Sequence, residues 1–288
     1  MDGIINCYKP VGITSFDAVN RVKKIVKGPK VGHTGTLDPA ASGVLPICIG
    51  KATKLIDYIM EGKKGYRVEM TLGIVTDTYD REGKILCEKE VISSEADIIA
   101  AIQCFKGEIM QVPPMYSAIK HKGKRLYELA RDGVEIERQP RKISIDDVNI
   151  LRIEKNKVIF DVECSKGTYI RSLCFDIGEK LGCGAMMSAL ERTFSGEFRL
   201  QNAVNINNLD SNNLEQYVIS MDKALNKLPS INVDAKFERL LRNGVEVNDK
   251  NFIHTIDKEV YKVYNMDNQL LGIGKRYENS FKISTLLI

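Results

Sequence analysis

Asp38 stands in a glycine-rich stretch, Gly32-His33-Thr34-Gly35-Thr36-Leu37-Asp38-Pro39-Ala40-Ala41-Ser42-Gly43-Val44-Leu45-Pro46, which is better equipped for chemistry than any other segment of the 288-residue chain. Glycines let a backbone approach a ligand closely and take up positive φ. A proline steers the residue before it away from the helical region, so Asp38 should project from an extended corner. A carboxylate fixed there beside His33 could act as nucleophile or general base. An Asp-Pro pair is equally the mark of a plain turn, and these residues alone leave both readings open. Two other motifs fail on spacing. Gly50-Lys51-Ala52-Thr53 has the end of a phosphate-cradling loop, but Leu45 stands where its first glycine belongs and Ala52 where its hydroxyl residue belongs. Thr34-Gly35-Thr36-Leu37 lacks the aspartate that a phosphoryl-accepting loop carries two residues earlier, where this chain has Gly32. The 7 cysteines form no C-x-x-C pair and there are 3 histidines, so no zinc set is expected. The cysteines read as reduced thiols of a reducing compartment.

The elements around this loop follow from periodicity. Thr14 and Asp17 make a capping box for a helix over 14–26, with Phe16, Val19, Val22 and Val26 as its apolar stripe and Gly28-Pro29 as its stop. The apolar run Val44–Ile49 follows the loop. Tyr66, Val68, Met70 and Leu72 alternate with Arg67, Glu69 and Thr71, which predicts a half-buried strand. Ser94 and Asp97 open a helix that ends before Gly107. Val158, Phe160, Val162 and Cys164 alternate again, and a helix is expected from about Tyr169 to Leu181, stopped by Gly182. Residues 214–228 read as helical, and the tail as a small β-rich module with turns at Asn243-Gly244 and Asp267-Asn268. Strands and helices alternate without a βαβ rhythm, so the expectation is α+β.

Composition sets outer bounds. Hydrophobic residues make up 43% and charged residues 28%, as in an ordinary globular protein large enough for two domains. No stretch approaches the ~18 apolar residues of a membrane span. The first residues carry no basic-then-apolar leader, so a cytoplasmic protein with no membrane association is expected. The net charge of +4 permits a polyanionic partner without demanding one. Its distribution is more telling: Lys120, Lys122, Lys124, Arg125, Arg131, Arg138, Arg141 and Lys142 form one basic run, and Arg21, Lys23, Lys24, Lys27 and Lys30 another.

Five segments in order then resemble one family. The Asp38 segment resembles the catalytic motif of the bacterial TruB-type tRNA pseudouridine synthases. Lys9-Pro10-Val11-Gly12-Ile13-Thr14-Ser15 is similar to that family's Lys-Pro motif, and Lys64-Gly65-Tyr66-Arg67-Val68 to its tyrosine-bearing strand. Pro113-Pro114-Met115-Tyr116-Ser117-Ala118 through Lys124-Arg125-Leu126-Tyr127 is similar to its RNA-binding insertion, and Ser165-Lys166-Gly167-Thr168-Tyr169-Ile170-Arg171 to its arginine motif. The resemblance covers about residues 4–195. It implies a pseudouridine synthase catalytic fold over 1–225, with a central mixed, mostly antiparallel sheet flanked by helices and a thumb insertion at about 113–142. A PUA-like C-terminal module would occupy 226–288.

The resemblance further implies isomerisation of uridine 55 in the tRNA T-loop, with base flipping and without cofactor or metal. Asp38 would be the nucleophile and Arg171 its ionic partner. Arg171 has support of its own: it falls in the first turn of a predicted helix, where a cation opposes the helix dipole by roughly 0.3–1 kcal/mol, and a partner carboxylate would offset that. An ordinary structural salt bridge would do so too. Tyr66 would stack on the target uracil, a contact worth ~1–3 kcal/mol per base, and help remove the C5 proton, although its place in the alternation also suits a core aromatic. His33 would fill the space of the flipped base or touch the flipped nucleotide, and Tyr169 and Leu190 would line the pocket. Asp80 would hydrogen-bond RNA, and Lys122, Lys124 and Arg125 would meet phosphates of the T-arm stem-loop. Lys9 and Pro10 would shape the site. Glu191 departs from the family pattern, in which many members carry a second basic residue there. Two other readings share these features: a tRNA-binding folding chaperone, and a pseudouridine synthase acting on another RNA. A monomer is expected.

Overall fold

In the computed structural model, which describes residues 1–288, the first strand is Gly3–Lys9 (β1), buried at every residue but Tyr8. Helix Ser15–Val26 (α1) starts at Thr14, whose hydroxyl accepts from the Asp17 amide at 3.0 Å while the Asp17 carboxylate accepts from the Thr14 amide at 2.9 Å. That reciprocal cap is the one the sequence predicts. The helix buries Ser15, Ala18, Val19 and Val22, but Phe16 is 67% exposed. The stripe is therefore rotated from the expected one, because Ser15 faces inward to bond the neighbouring loop. Strand Val31–His33 (β2) leads through the glycine-rich loop into Ala41–Ile49 (β3), buried at all nine positions as a strand covered on both faces must be.

A short helix Ile56–Met60 (α2) precedes Lys64–Leu72 (β4), which buries Tyr66, Val68, Met70 and Leu72 as its pattern predicts; on the other face Arg67 and Glu69 stay more open, but Thr71 is buried as well, because the strand lies in the middle of the sheet. Ile74–Thr76 (β5) and Ile85–Glu88 (β6) form a separate hairpin. Helix Glu95–Gln103 (α3), capped by Ser94, is followed by Gly107–Gln111 (β7). The basic insertion holds a small hairpin, Lys120–His121 (β8) and Lys124–Arg125 (β9), and the single-turn helix Leu126–Arg131 (α4). Then come Arg141–Glu154 (β10), Lys157–Cys164 (β11), helix Ile170–Leu181 (α5) and Ala185–Ser195 (β12). Phe198–Arg199 (β13), Val204–Asn205 (β14) and Val218–Ile219 (β15) are short edge pieces.

The main sheet runs β14-β1-β3-β12-β4-β11-β10-β7, with β2, β13 and β15 attached at its side. Only β1/β14 and β3/β12 are parallel, so the sheet is mixed and mostly antiparallel. Its largest core joins Val68, Met70, Phe160, Leu173 and Ile177, closing α5, α3 and α1 onto the sheet.

Residues 214–228 are not one helix. They hold a 3-10 turn at Leu214–Tyr217, then β15, whose Ile219 and Val218 pair with Ile4 and Ile5 of β1, then the single turn Met221–Ala224 (α6). Edge pairing by two β-branched residues overrides the helical pattern. The tail combines strands Ser230–Asn232 (β16), Val260–Tyr264 (β17), Leu270–Arg276 (β18) and Phe281–Leu286 (β19) in one sheet with helices Ala235–Arg242 (α7) and Lys250–His254 (α8). It has a core of its own around Tyr261, Val263, Leu271 and Phe281. Ile273 and Leu287 pack instead with Ile4, Cys48, Leu55 and Leu225, fastening the tail to the main sheet.

Candidate active site

The loop between β2 and β3 is held from several sides. The Thr34 amide donates to the Pro46 carbonyl at 3.0 Å and the Gly12 amide to the Pro39 carbonyl at 2.9 Å. The Ser15 hydroxyl accepts from the Leu37 amide at 2.8 Å and donates to its carbonyl at 3.0 Å. The Ala41 amide closes a turn onto the Asp38 carbonyl at 3.0 Å. Asp38 is thus the half-open end of a fixed loop, with its side chain 37% exposed.

Arg171 enters from the first turn of α5 with its side chain 10% exposed. Its Nε lies 3.1 Å from Asp38 Oδ2, and its Nη1 lies 3.3 Å from Asp80 Oδ2. Nη1 also donates to the Thr78 carbonyl at 3.4 Å, and Nη2 to the Tyr116 carbonyl at 2.8 Å. The cation that opposes the helix dipole is therefore placed between two carboxylates. Asp80 is fastened in turn, its Oδ1 accepting from the Thr78 hydroxyl at 2.6 Å and the Glu82 amide at 3.0 Å. At 5% exposure Asp80 has both oxygens engaged inside the protein, one of them on Arg171.

Tyr66 lies on β4 at 8% exposure, and burial pushes its phenol up to about 12. Opposite it in the ladder stands Arg192 of β12, which in turn pairs with Gly43 of β3, itself opposite Lys9 of β1. Lys9, Gly43, Arg192 and Tyr66 thus form one row across four strands. Gly43 has φ +111°, and a Cβ there would lie 2.3 Å from the Arg192 carbonyl oxygen, so no other residue fits this approach. Arg192 is 1% exposed; its Nε donates to the Val44 carbonyl at 2.6 Å and its Nη2 to the Gly35 carbonyl at 3.2 Å. Lys9 is fully buried and donates to the Pro10 and Ile13 carbonyls at 3.0 and 2.7 Å, which pins the loop that docks on Pro39. Burial brings its ammonium down to about 8.

Leu190, 9% exposed, is in ladder register with Val68 and Ala41, two positions before Arg192 on the same strand. His33 accepts from the Gly35 amide through Nδ1 at 3.2 Å; burial, with Arg192 nearby, holds it below the usual imidazole range and so neutral at pH 7. Tyr169 caps α5, exchanging two hydrogen bonds with the Gln111 side chain at 2.8 and 3.0 Å. Burial raises its phenol, with Arg171 and Asp38 within electrostatic range. The structure therefore gathers Asp38, Arg171, Tyr169, Tyr66, Leu190 and His33 around the one loop.

Lys122, Lys124 and Arg125 stay apart from that cluster, exposed on the β8/β9 hairpin, whose turn residues Lys122 and Gly123 take φ of 47° and 88°. Such a two-residue turn suits the twist of a hairpin. Beside it the Tyr127 ring carries Arg125 and Arg131 at 5.8 and 5.5 Å from its centroid. The insertion touches the Asp38 cluster through the Tyr116 carbonyl on Arg171.

Sequence reasoning missed Arg192, Lys64 and the carbonyl of Tyr116. Arg192 was detectable in principle: it stands two residues after Leu190, in phase with an inward-facing position of a strand, where an arginine is out of place. With these included, Lys9, Lys64, Asp80, Arg171 and Arg192 are all the buried charged residues the protein has. That concentration of buried charge makes this place the candidate functional site.

Comparison with known proteins gives the family. The pattern described as "TruB family pseudouridylate synthase (N terminal domain)" matches residues 23–170, and that of the "tRNA pseudouridylate synthase B C-terminal domain" matches 171–227. The chain belongs to the TruB family of pseudouridylate synthases. Among curated relatives of this family, tRNA pseudouridine synthase B of Clostridium acetobutylicum is 58% identical over 288 residues, covering 100% of both chains. The protein of that name from Clostridium tetani is 51% identical, again over 100% of both chains. Of solved structures, a Cbf5-Nop10-Gar1 complex contains a chain 28% identical with a TM-score of 0.74, covering 99% of this chain and 85% of that one. An H/ACA RNP bound to a substrate RNA containing 2'-deoxyuridine gives 25% identity and a TM-score of 0.72, covering 99% and 85%. The Asp38 loop and α1 from Lys23 onward lie within the first TruB pattern; the second begins at Arg171. The β16–β19 sheet lies beyond both. No helix of this chain is long and apolar enough to cross a membrane.

Proposed function

We propose that this chain converts uridine 55 in the T-loop of tRNA to pseudouridine, without cofactor or metal, with Asp38 as nucleophile and the target base flipped from its stack. The C1′–N1 bond breaks and a C1′–C5 bond forms, while C5 loses a hydrogen and N1 gains one. Substrate and product are isomers, so no redox partner is consumed. The observation that carries the reading is the Asp38 carboxylate, held by Arg171 Nε at 3.1 Å on a fixed loop and still open to an incoming nucleotide. A charge-assisted bond of this kind fixes the direction from which a carboxylate attacks. Tyr66 serves as the stacking surface: with its phenol at about 12 it is protonated at neutral pH and poorly suited to take the C5 proton unaided. Stacking on it offsets part of the few kcal/mol that flipping costs. Leu190, Tyr169 and His33 complete the pocket.

The exposed cations Lys122, Lys124 and Arg125 bind T-arm phosphates, and the insertion 113–142 acts as a thumb over the stem-loop. Residues 1–225 form the catalytic unit and 226–288 a PUA-like module. The enzyme works as a cytoplasmic monomer. The test is pseudouridine mapping of intact tRNA and of a T-arm hairpin incubated with the protein alone. Modification at position 55 in both is expected. Modification elsewhere, or none with binding intact, removes this reading in favour of another RNA target or a binding role.

A further inference from the structure

Four of the five buried charged residues are cations, Lys9, Lys64, Arg171 and Arg192, against Asp80 and the half-open Asp38. Arg171 accounts for both carboxylates. Arg192 has none. At 1% exposure its guanidinium donates to the Val44 and Gly35 carbonyls, and Tyr66 stands directly opposite it in the β12/β4 ladder, its phenol within electrostatic range. The other ionisable neighbours of this pair are Lys9 on β1, His33 on β2, Lys64 on β4, Cys164 on β11 and Asp38 on the loop. Burying an arginine without a carboxylate costs several kcal/mol, and a leucine or methionine would fill the same core position without that cost. The cation is therefore retained for something other than stability.

Its bonds indicate what. Gly35 and Val44 lie on either side of Asp38 in the chain, so one guanidinium grips both arms of the nucleophile's loop. The same group faces Tyr66. A guanidinium beside a phenol favours the phenol's ionised form. We infer that Arg192 is a positioning residue that acts through Tyr66: it fixes the tyrosine relative to the Asp38 loop, so that stacking surface and nucleophile meet the flipped nucleotide in one register. This rests on the reading of Tyr66 and Asp38 given under the proposed function.

The test uses the full-length protein with Arg192→Met and Arg192→Lys. Two quantities are read: the single-turnover rate of pseudouridine formation with the tRNA dissociation constant, and the titration of the Tyr66 hydroxyl in the absence of RNA. For the titration, 3,5-difluorotyrosine replaces Tyr66 and is followed by fluorine NMR. With Arg192→Met the rate should fall about 10- to 100-fold, the range expected for loss of a hydrogen bond to a charged group, while tRNA affinity stays within about threefold. The difluorotyrosine should become harder to ionise by about tenfold or more, as loss of an adjacent cation requires. Arg192→Lys keeps the charge and loses the fork, so it should fall between wild type and Met in both readouts. Should the Met variant fail to fold, the Lys variant carries the same two measurements. A wild-type rate in either variant, or a titration that Arg192→Met leaves in place, overturns the inference. Wild-type protein that binds tRNA without modifying it refutes the enzymatic reading instead, a result the RNA-free titration is independent of.

Discussion

The two basic regions of this protein are built on opposite principles. Around Asp38, each cation is buried and given protein partners: Lys9 takes two carbonyls, Arg171 two carboxylates and two carbonyls, Arg192 two carbonyls. On the β8/β9 hairpin, Lys120, Lys122 and Lys124 are exposed and enter no ion pair, in a protein that pairs many of its other surface lysines, such as Lys106, Lys142 and Lys157, with acids. A buried cation with fixed partners holds geometry. An exposed cation without a partner supplies affinity to whatever polyanion arrives. Substitutions in the two regions should therefore fail in different ways.

The largest contrast comes from Arg171→Met. It leaves Asp80 buried without a counter-charge and Asp38 without its guide, so the modification rate should fall by about 10² to 10³. Stability should drop by about 3–5 kcal/mol, as when one partner of a buried pair is removed, read by denaturant melts. A variant as stable as wild type would mean that Asp80 finds another cation.

The glycines sharpen the comparison next. Gly43→Ala forces a Cβ against the Arg192 backbone at φ +111° and should cost about 3 kcal/mol or more. Gly123→Ala, at φ +88° on the hairpin with nothing within 4 Å, should cost only the ~1–2 kcal/mol of a left-handed alanine. Equal losses would deny that the two regions differ in packing.

Neutralising Lys122, Lys124 and Arg125 to glutamine should leave the melting temperature in place. It should weaken tRNA binding and flatten the plot of log affinity against log salt by about 0.7–0.9 for each phosphate no longer neutralised. An unchanged slope would remove the hairpin from the RNA interface.

The smallest effect concerns Lys64, buried on β4 with only the Met60 carbonyl at 3.4 Å as hydrogen-bond partner, whose ammonium burial brings from 10.5 to about 8. Between those values the unfolded chain holds the proton and the folded protein has released it, so stability rises with pH over that window. Across pH 7–10 the wild type should gain on the order of 1 kcal/mol relative to Lys64→Met. A constant difference between the two would contradict the burial of this charge.

The division between the regions also explains what was legible in the sequence. The thumb's charge run, the α1 capping box and the β4 alternation are local signals, readable because each is settled within a few residues. The Asp38 loop and Arg171 were identified by motif, and the helix-dipole argument at Arg171 pointed to a carboxylate without naming which. Asp80 as a second partner, Arg192 beside Tyr66 and the row from Lys9 to Tyr66 depend on contacts between distant parts of the chain, such as the ladder pairing of Arg192 and Tyr66. Phe16 and residues 214–228 misled for the same reason: a hydroxyl bonding Leu37 turned one helix, and an edge pairing with β1 broke another. What the folded chain brings together from afar is where local periodicity has nothing to say.

The central claim is that Asp38 does the chemistry and the rest of the cluster aims it. It is tested most directly by following pseudouridine formation at position 55 of intact tRNA with Asp38→Asn and Asp38→Ala, in parallel with tRNA binding. Both variants should bind tRNA within a few-fold of wild type and form no pseudouridine on the wild-type time scale, a loss of about 10³-fold or more. Pseudouridine formed at an undiminished rate by either variant would contradict it.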